Sequence, residues 1–209
     1  MKKIIIATFA LVAMVGCTKE ESVKIDTSSD VEATFAAEII TRTSGNDWES
    51  ADQVGIYMYE SGTSDNTYSL ARENVLHTSD ASGNFTVYTG VSPIYYPQTD
   101  KVDFYAYYPY QAGIATTYTA DITAQNLSDG SFDQGAVDFV TASLTEKLKS
   151  EESLKFTFEH RLAMLTLVIT PKESVPSLKD VEVSLGEINT QATFSVLTGA
   201  LESSSGVMG

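Results

Sequence analysis

Cys17 is the only cysteine in the sequence, and its thiol is a side chain that can be acylated. It follows Lys2-Lys3 and an apolar stretch from Ile4 to Val15. A stretch of this length is too short to cross a bilayer permanently and is typical of a cleaved export signal. The run Met14-Val15-Gly16-Cys17 has the pattern of a lipobox, in which cleavage before the cysteine is coupled to its acylation. We therefore predict a signal peptide at residues 1–16 and a lipoprotein anchor, with palmitate-type acyl chains, at Cys17.

The segment behind the cysteine, through residue 30, is polar and lacks hydrophobic periodicity, which predicts a flexible tether. Several acyl chains on one residue give a stable anchor. The acidic pair Glu20-Glu21 resembles a surface-export signal of some Gram-negative lipoproteins. We therefore expect the mature protein on the cell outer membrane, lipid-anchored and surface-exposed. An ordinary secretory signal with an incidental thiol is the alternative.

A second candidate for chemistry is Arg42, followed by Thr43 and the turn-rich SGND. An arginine between a strand and a loop is accessible to a trypsin-like protease, since nicking concentrates at exposed loops. The preceding segment alternates apolar and polar residues, as in a half-buried strand. Its apolar positions are Val31, Ala33, Phe35, Ala37 and Ile39.

Other reactive chemistry is scarce. The two histidines, His77 and His160, cannot build a histidine-rich metal site, and no nucleophile elbow, phosphate loop or zinc spacing occurs. The net charge of -15, without clustered lysine and arginine, argues against nucleic acid as a partner. We expect no enzyme activity, no cofactor and no metal.

The residues that follow the tether predict one all-β domain at 31–209, an antiparallel β-sandwich of transthyretin-like or Greek-key-like topology. Short apolar or alternating segments recur with Gly, Pro, Asn and Asp between them, and aromatic residues favour pleated sheets. The nearly continuous apolar run Leu162–Ile169 predicts a mid-sheet strand covered on both faces. Residues Ser143–Glu152 predict a short helix or a mobile surface segment. The remaining predicted strands are Gln53–Glu60, Asn84–Thr89, SPIYYP ending at Pro97, Lys101–Pro109, Lys155–His160, Asp180–Leu185 and Ala192–Gly199.

Several motifs, in order, resemble the bacterial fimbrillins, which are lipoprotein precursors of type V pilus subunits (Mfa-like). They are the strand before Arg42-Thr43, Trp48 leading into DQVGIYMY, IYYP followed by KVDFYAYYPY, VDFVTAS, FTFEHRLAMLTLVI and ATFSVLTGAL. The resemblance covers the first of the two β-sandwich domains that family members usually have. In the family the second domain supplies the carboxy-terminal strand donated to the next subunit.

The resemblance implies an assembly mechanism and a set of partners. A trypsin-like protease would cut after Arg42 and release residues 31–42, the strand that plugs an apolar groove. The groove would then accept a strand from another pilus subunit, which is donor-strand complementation. The chain would be a structural or accessory subunit of a fimbria.

A different class of function remains open, namely a lipid-anchored adhesin or glycan-binding module that never polymerises and binds host or bacterial surface ligands. Exposed aromatic side chains would make its contacts. The candidates are Trp48, Tyr57, Tyr95, Tyr105 and Tyr107. Alternating tyrosines in strands also serve cross-strand packing.

Overall fold

The computed structural model describes residues 31–39, 48–63, 71–98, 100–125, 137–163, 165–173, 177–179, 183 and 186–207. These residues form β-strands and one short 3-10 helix, Ile122–Gln125. The strands are β1 Phe35–Ile39, β2 Gln53–Glu60, β3 Arg72–Ser79, β4 Asn84–Val87, β5 Val102–Tyr108, β6 Thr117–Asp121, β7 Val140–Lys147, β8 Leu154–His160, β9 Asn189–Ser195 and β10 Leu201–Val207. The all-β class is confirmed.

Seven of the strands form a closed, barrel-like sheet in the order β1-β4-β3-β2-β5-β7-β8. Every neighbouring pair is antiparallel except β1 and β8, which are parallel. Strand β1 pairs on one side with β4 and on the other with β8, and so it closes the ring. The predicted sandwich of two sheets is therefore not what the ladders show. A sandwich would leave β4 and β8 as separate edges, whereas here β1 joins them.

The remaining strands form a three-stranded antiparallel sheet in the order β10-β9-β6. This sheet packs on the outer side of β2 and β5 through aromatic rings. The ring centroids of Tyr107 of β5 and Tyr118 of β6 lie 6.0 Å apart. Tyr118 stacks on Phe139 with a centroid separation of 4.4 Å. Strand β2 is consequently buried on both faces. Ile56 and Met58 lie in the ring interior, and Tyr57 and Tyr59 lie in the aromatic cluster between the ring and the three-stranded sheet.

The predicted mid-sheet strand at Leu162–Ile169 is wrong for the described part of that segment. Residues 165–171 have no strand assignment, and Leu165 and Val168 expose 63% and 85% of their surface. An apolar run indicates burial only if ladder partners flank it on both sides, and composition does not show whether they do. The short helix predicted within 143–152 is also wrong, because β7 continues through Lys147.

Candidate functional site

Strand β1 lies in a groove whose two walls bind its backbone. On the β4 side, the amide of Ala37 donates to the carbonyl of Gly83 at 2.8 Å. The same side continues upstream, where the amide of Ala33 donates to the carbonyl of Ile94 at 2.8 Å. On the β8 side, the amide of Leu154 donates to the carbonyl of Thr34 at 2.8 Å. The strand is thus bound as the central strand of a sheet, although it is the first of the described strands.

One side chain of β1 enters the interior of the ring deeply. Phe35 is 2% exposed, and its ring centroid lies 5.3 to 5.5 Å from those of three aromatic side chains. His77 and Phe104 meet it edge-on, and Phe156 stacks on it. Burying a phenylalanine side chain stabilises by about 1.5–3 kcal/mol in area terms. This pocket is the strongest apolar contact between β1 and the groove.

The alanines on either side of Phe35 are buried too. Ala33 and Ala37 belong to the same core cluster, and Ala37 lies opposite Phe156 in the parallel ladder. The groove packs closely around Ala37. A Cβ atom added at Gly83 would clash with the carbonyl oxygen of Ala37 and with the ring of Trp48. The groove therefore combines one large pocket with two shallow positions.

The outer face of β1 carries a single ion pair with the groove wall. Glu38 contacts the ammonium of Lys155 on β8, and the hydroxyl of Thr157 donates to Glu38 at 3.3 Å. The hydrogen bond from Lys155, together with its charge, holds the pKa of Glu38 below its usual range. Both side chains are at least half exposed, so the pair contributes little to stability and more to register.

The topology defines what removal of β1 would do. The ring would open into a six-stranded sheet, β4-β3-β2-β5-β7-β8, with β4 and β8 as free edges. The backbone groups that now bind Thr34 and Ala37 would lose their partners, and the aromatic wall around Phe35 would meet water. Unpaired edges of this kind bind an additional strand readily.

Some sequence-predicted site residues lie outside the described residues. Cys17, Arg42 and Thr43 are among them. Arg42 follows the last residue of β1 by three positions. The backbone of Ile39 is described and pairs with Phe158 of β8. Val31 is half-buried, and its carbonyl accepts a hydrogen bond from the amide of Tyr96 at 3.0 Å.

Most of the aromatic side chains proposed as exposed ligand contacts are buried. Trp48 packs edge-on against Phe85 and Phe158, at 5.0 and 5.2 Å. Tyr57 and Tyr107 are fully buried between the ring and the small sheet. Tyr105 is partly buried, and Tyr95 is exposed. A position outside the strands did not predict exposure for Trp48, because its ring packs into the core cluster against Phe85 and Phe158.

The histidines have structural environments. His77 is buried beside Phe35, its Nδ1 lies 3.0 Å from the carbonyl oxygen of Val75, and burial lowers its pKa. His160 Nδ1 lies 2.6 Å from an oxygen of Asp138. In the described part of the chain, no three metal-ligating side chains converge, and no helix has the length and hydropathy needed to cross a membrane.

Sequence reasoning missed a buried carboxylate at Asp103 of β5. It accepts hydrogen bonds from the hydroxyl of Ser61, the amide of Gly62 and the amide of Glu146, at 2.7 to 3.0 Å. Burial alone would raise the pKa of Asp103, but these donors outweigh burial and lower it. The group fixes the turn after β2 to β7. Its only sequence signal is an acid inside the alternating run VDFYAYY.

Comparison with known proteins places these features in a family. The chain matches the family described as fimbrillin-like over residues 41–208. A candidate fimbrium subunit of Bacteroides uniformis is 32% identical over 213 residues, which cover 95% of this chain and 67% of the relative.

Two crystal structures of candidate cell adhesion proteins resemble this fold. The protein from Bacteroides uniformis has a TM-score of 0.61 at 27% identity, over 88% of this chain and 68% of the other. The protein from Bacteroides ovatus has a TM-score of 0.58 at 21% identity, over 85% of this chain and 69% of the other, and it supports the fold alone.

Proposed function

The chain belongs to the fimbrillin-like family, and from this premise we propose that it is a subunit of a cell-surface fimbria that assembles by strand exchange. Its family and its relatives indicate a fimbrial or adhesion-related surface protein. Such a subunit has a structural role, in which it binds other subunits and catalyses no reaction.

The observation that carries the strand-exchange proposal is the position of β1. It is the first described strand, it closes the ring, and it is bound from both sides. None of the other described strands precedes it in the chain, so none of them would have to be unthreaded for it to leave. Cleavage after Arg42 would detach it covalently from β2, because Arg42 lies between the two strands.

The export part of the proposal rests on the leader and on Cys17. Acyl chains on Cys17 would hold the precursor at the outer membrane while β1 still fills the groove. Cutting after Arg42 would remove the anchor and the plug in one step, because both lie upstream of the cut. The subunit would then leave the membrane only when its groove can accept a neighbour's strand.

The adhesin alternative has less support from the side chains. Of its proposed aromatic contacts, Trp48, Tyr57 and Tyr107 are buried in packed clusters. An exposed Tyr95 is a single ring, and single exposed aromatics are normal on protein surfaces. Strand exchange is therefore the better account of the groove.

The test is limited trypsin cleavage of the full chain, with Arg42→Gln as the matched control. The wild-type product is expected to unfold at a lower temperature, to bind a hydrophobic dye more strongly, and to regain stability with a peptide of residues 30–42. The control is expected to keep its melting temperature under the same treatment. Loss of residues up to Arg42 with no change in melting or dye binding would refute strand exchange.

A further inference from the structure

The sequence of residues 31–39, which includes β1, is almost symmetric about Phe35. The sequence of residues 31–39 is VEATFAAEI. Moving outward from Phe35, an alanine stands two residues away on each side and a glutamate three residues away on each side. Valine and isoleucine occupy the two ends, and only Thr34 and Ala36 differ. A strand turned end for end about Phe35 presents the same types of side chain at the same places.

The two walls of the groove run in opposite directions. Strand β1 is antiparallel to β4 and parallel to β8, so β4 and β8 are antiparallel to each other. Any strand in the groove makes one parallel and one antiparallel ladder, whichever way it runs. The two kinds of ladder differ only slightly in stability per residue. The walls therefore supply no large backbone preference for one direction.

The register of hydrogen bonds also survives reversal. In the present direction Phe35, Ala37 and Ile39 lie opposite Leu154, Phe156 and Phe158. Turning the strand about the axis that points into the core keeps Phe35 inward but directs its backbone groups to β8. There they meet Leu154, whose amide already faces the groove, as in a hydrogen-bonded antiparallel pair.

On the other wall, the backbone groups of the alternate residues would turn to β4. In the present direction Ala36 lies opposite Asn84, between Gly83 and Phe85, and after reversal Thr34 takes that position. A residue placed between two groove-facing neighbours is what a parallel ladder requires. No one-residue slip is needed, so the inward and outward faces are preserved.

The ion pair on the outer face is symmetric too. Glu38 contacts Lys155 in the present direction. After reversal Glu32 takes the place of Glu38, because both lie three residues from Phe35. Lys155 thus finds a carboxylate in either case.

We propose that the groove accepts its donor strand in either direction and selects it by side-chain pattern. The partner is a strand of a neighbouring subunit with one aromatic residue, alanines two residues away on both sides, and an acid three residues away at the Lys155 end. In the intact chain the covalent connection to β2 imposes the direction. This inference rests on the proposed strand exchange, since only a strand without a covalent connection to β2 can bind in either direction.

The experiment uses the full chain with a site-specific protease sequence introduced between residues 40 and 47. Cys17→Ser and Ser82→Cys leave one thiol, beside Gly83 at the Ala37 end of the groove, for an acceptor dye. After cleavage, an excess of the peptide VEATFAAEI with a donor dye at its amino terminus replaces the resident strand. The amino terminus of the peptide lies near Ser82 when the strand is reversed. It lies about 26 Å further along the groove when the strand keeps the direction of β1, at about 3.3 Å per residue.

Time-resolved energy transfer is expected to show two populations of bound peptide. Glu38→Lys in the peptide is expected to enrich the near population a few-fold, and Glu32→Lys the far population. Lys155→Glu in the protein is expected to invert both shifts. Phe35→Ala in the peptide is expected to weaken uptake by about 100-fold or more, whereas Ala36→Phe, on the outer face, is expected to leave it nearly unchanged.

Two results would contradict different parts of the reasoning. A single far population, insensitive to both charge changes, would overturn the bidirectional groove and leave strand exchange standing. Failure of every peptide to enter the cut protein would overturn the strand-exchange function itself.

Discussion

Replacing Phe35 by alanine is the most direct test of whether β1 is part of the core. The side chain is 2% exposed and contacts three aromatic rings at 5.3 to 5.5 Å. Truncating such a phenylalanine costs about 3–5 kcal/mol, because the transfer free energy is lost and a cavity is left. A whole domain is stable by only about 5–15 kcal/mol. The intact Phe35→Ala chain should therefore lose a large part of its free energy of unfolding.

Urea unfolding followed by tryptophan fluorescence is a suitable assay. Trp48 is the only tryptophan, and it is buried against Phe85 of β4, the wall next to β1. The urea concentration at the midpoint of unfolding should fall, while the slope of the unfolding free energy against urea concentration stays constant. Tyr88→Ala is the matched control, since Tyr88 is 45% exposed, and its cost should stay below about 0.5 kcal/mol. A cost below about 1 kcal/mol for Phe35→Ala would show that β1 is not integral to the core.

Three further outcomes are expected. The unfolded state binds a proton at His77 near pH 6.5 and the folded state only at lower pH, so stability should fall as the pH drops below 6.5, and His77→Phe should reduce that slope in urea titrations at pH 5 to 7. Asp103→Ala should cost about 1–3 kcal/mol in chemical unfolding, because buried donors lose their acceptor; an unchanged midpoint would mean that water replaces the carboxylate. Cys17→Ala should abolish labelling by an alkyne fatty acid and release the protein from the membrane fraction, and persistent labelling would show that the leader was misinterpreted.

Local patterns predicted the elements best where buried residues are strongly apolar. The run QVGIYMYE gives the observed bounds of β2, whereas the alternation around Phe35 marks β1 but starts it at Val31, four residues before the observed start. Strands β3 and β10 escaped prediction because their sequences, RENVLHTS and LESSSGV, are mostly polar. In β3 the inward positions include His77 and Ser79, which a hydrophobic pattern does not detect.

The amino-acid sequence by itself determined the all-β class, the resemblance to fimbrillins and the inward face of β1. These are local properties, since side chains alternate along a strand whatever its neighbours are. Only the tertiary structure decided that β1 closes a ring between β4 and β8, that Trp48 is buried, and that Leu165 and Val168 are exposed. Partner choice depends on residues far apart in the chain, as between Glu38 and Thr157, 119 positions away. No local period carries that information, because the same alternating strand fits an edge, a sandwich or a closed ring.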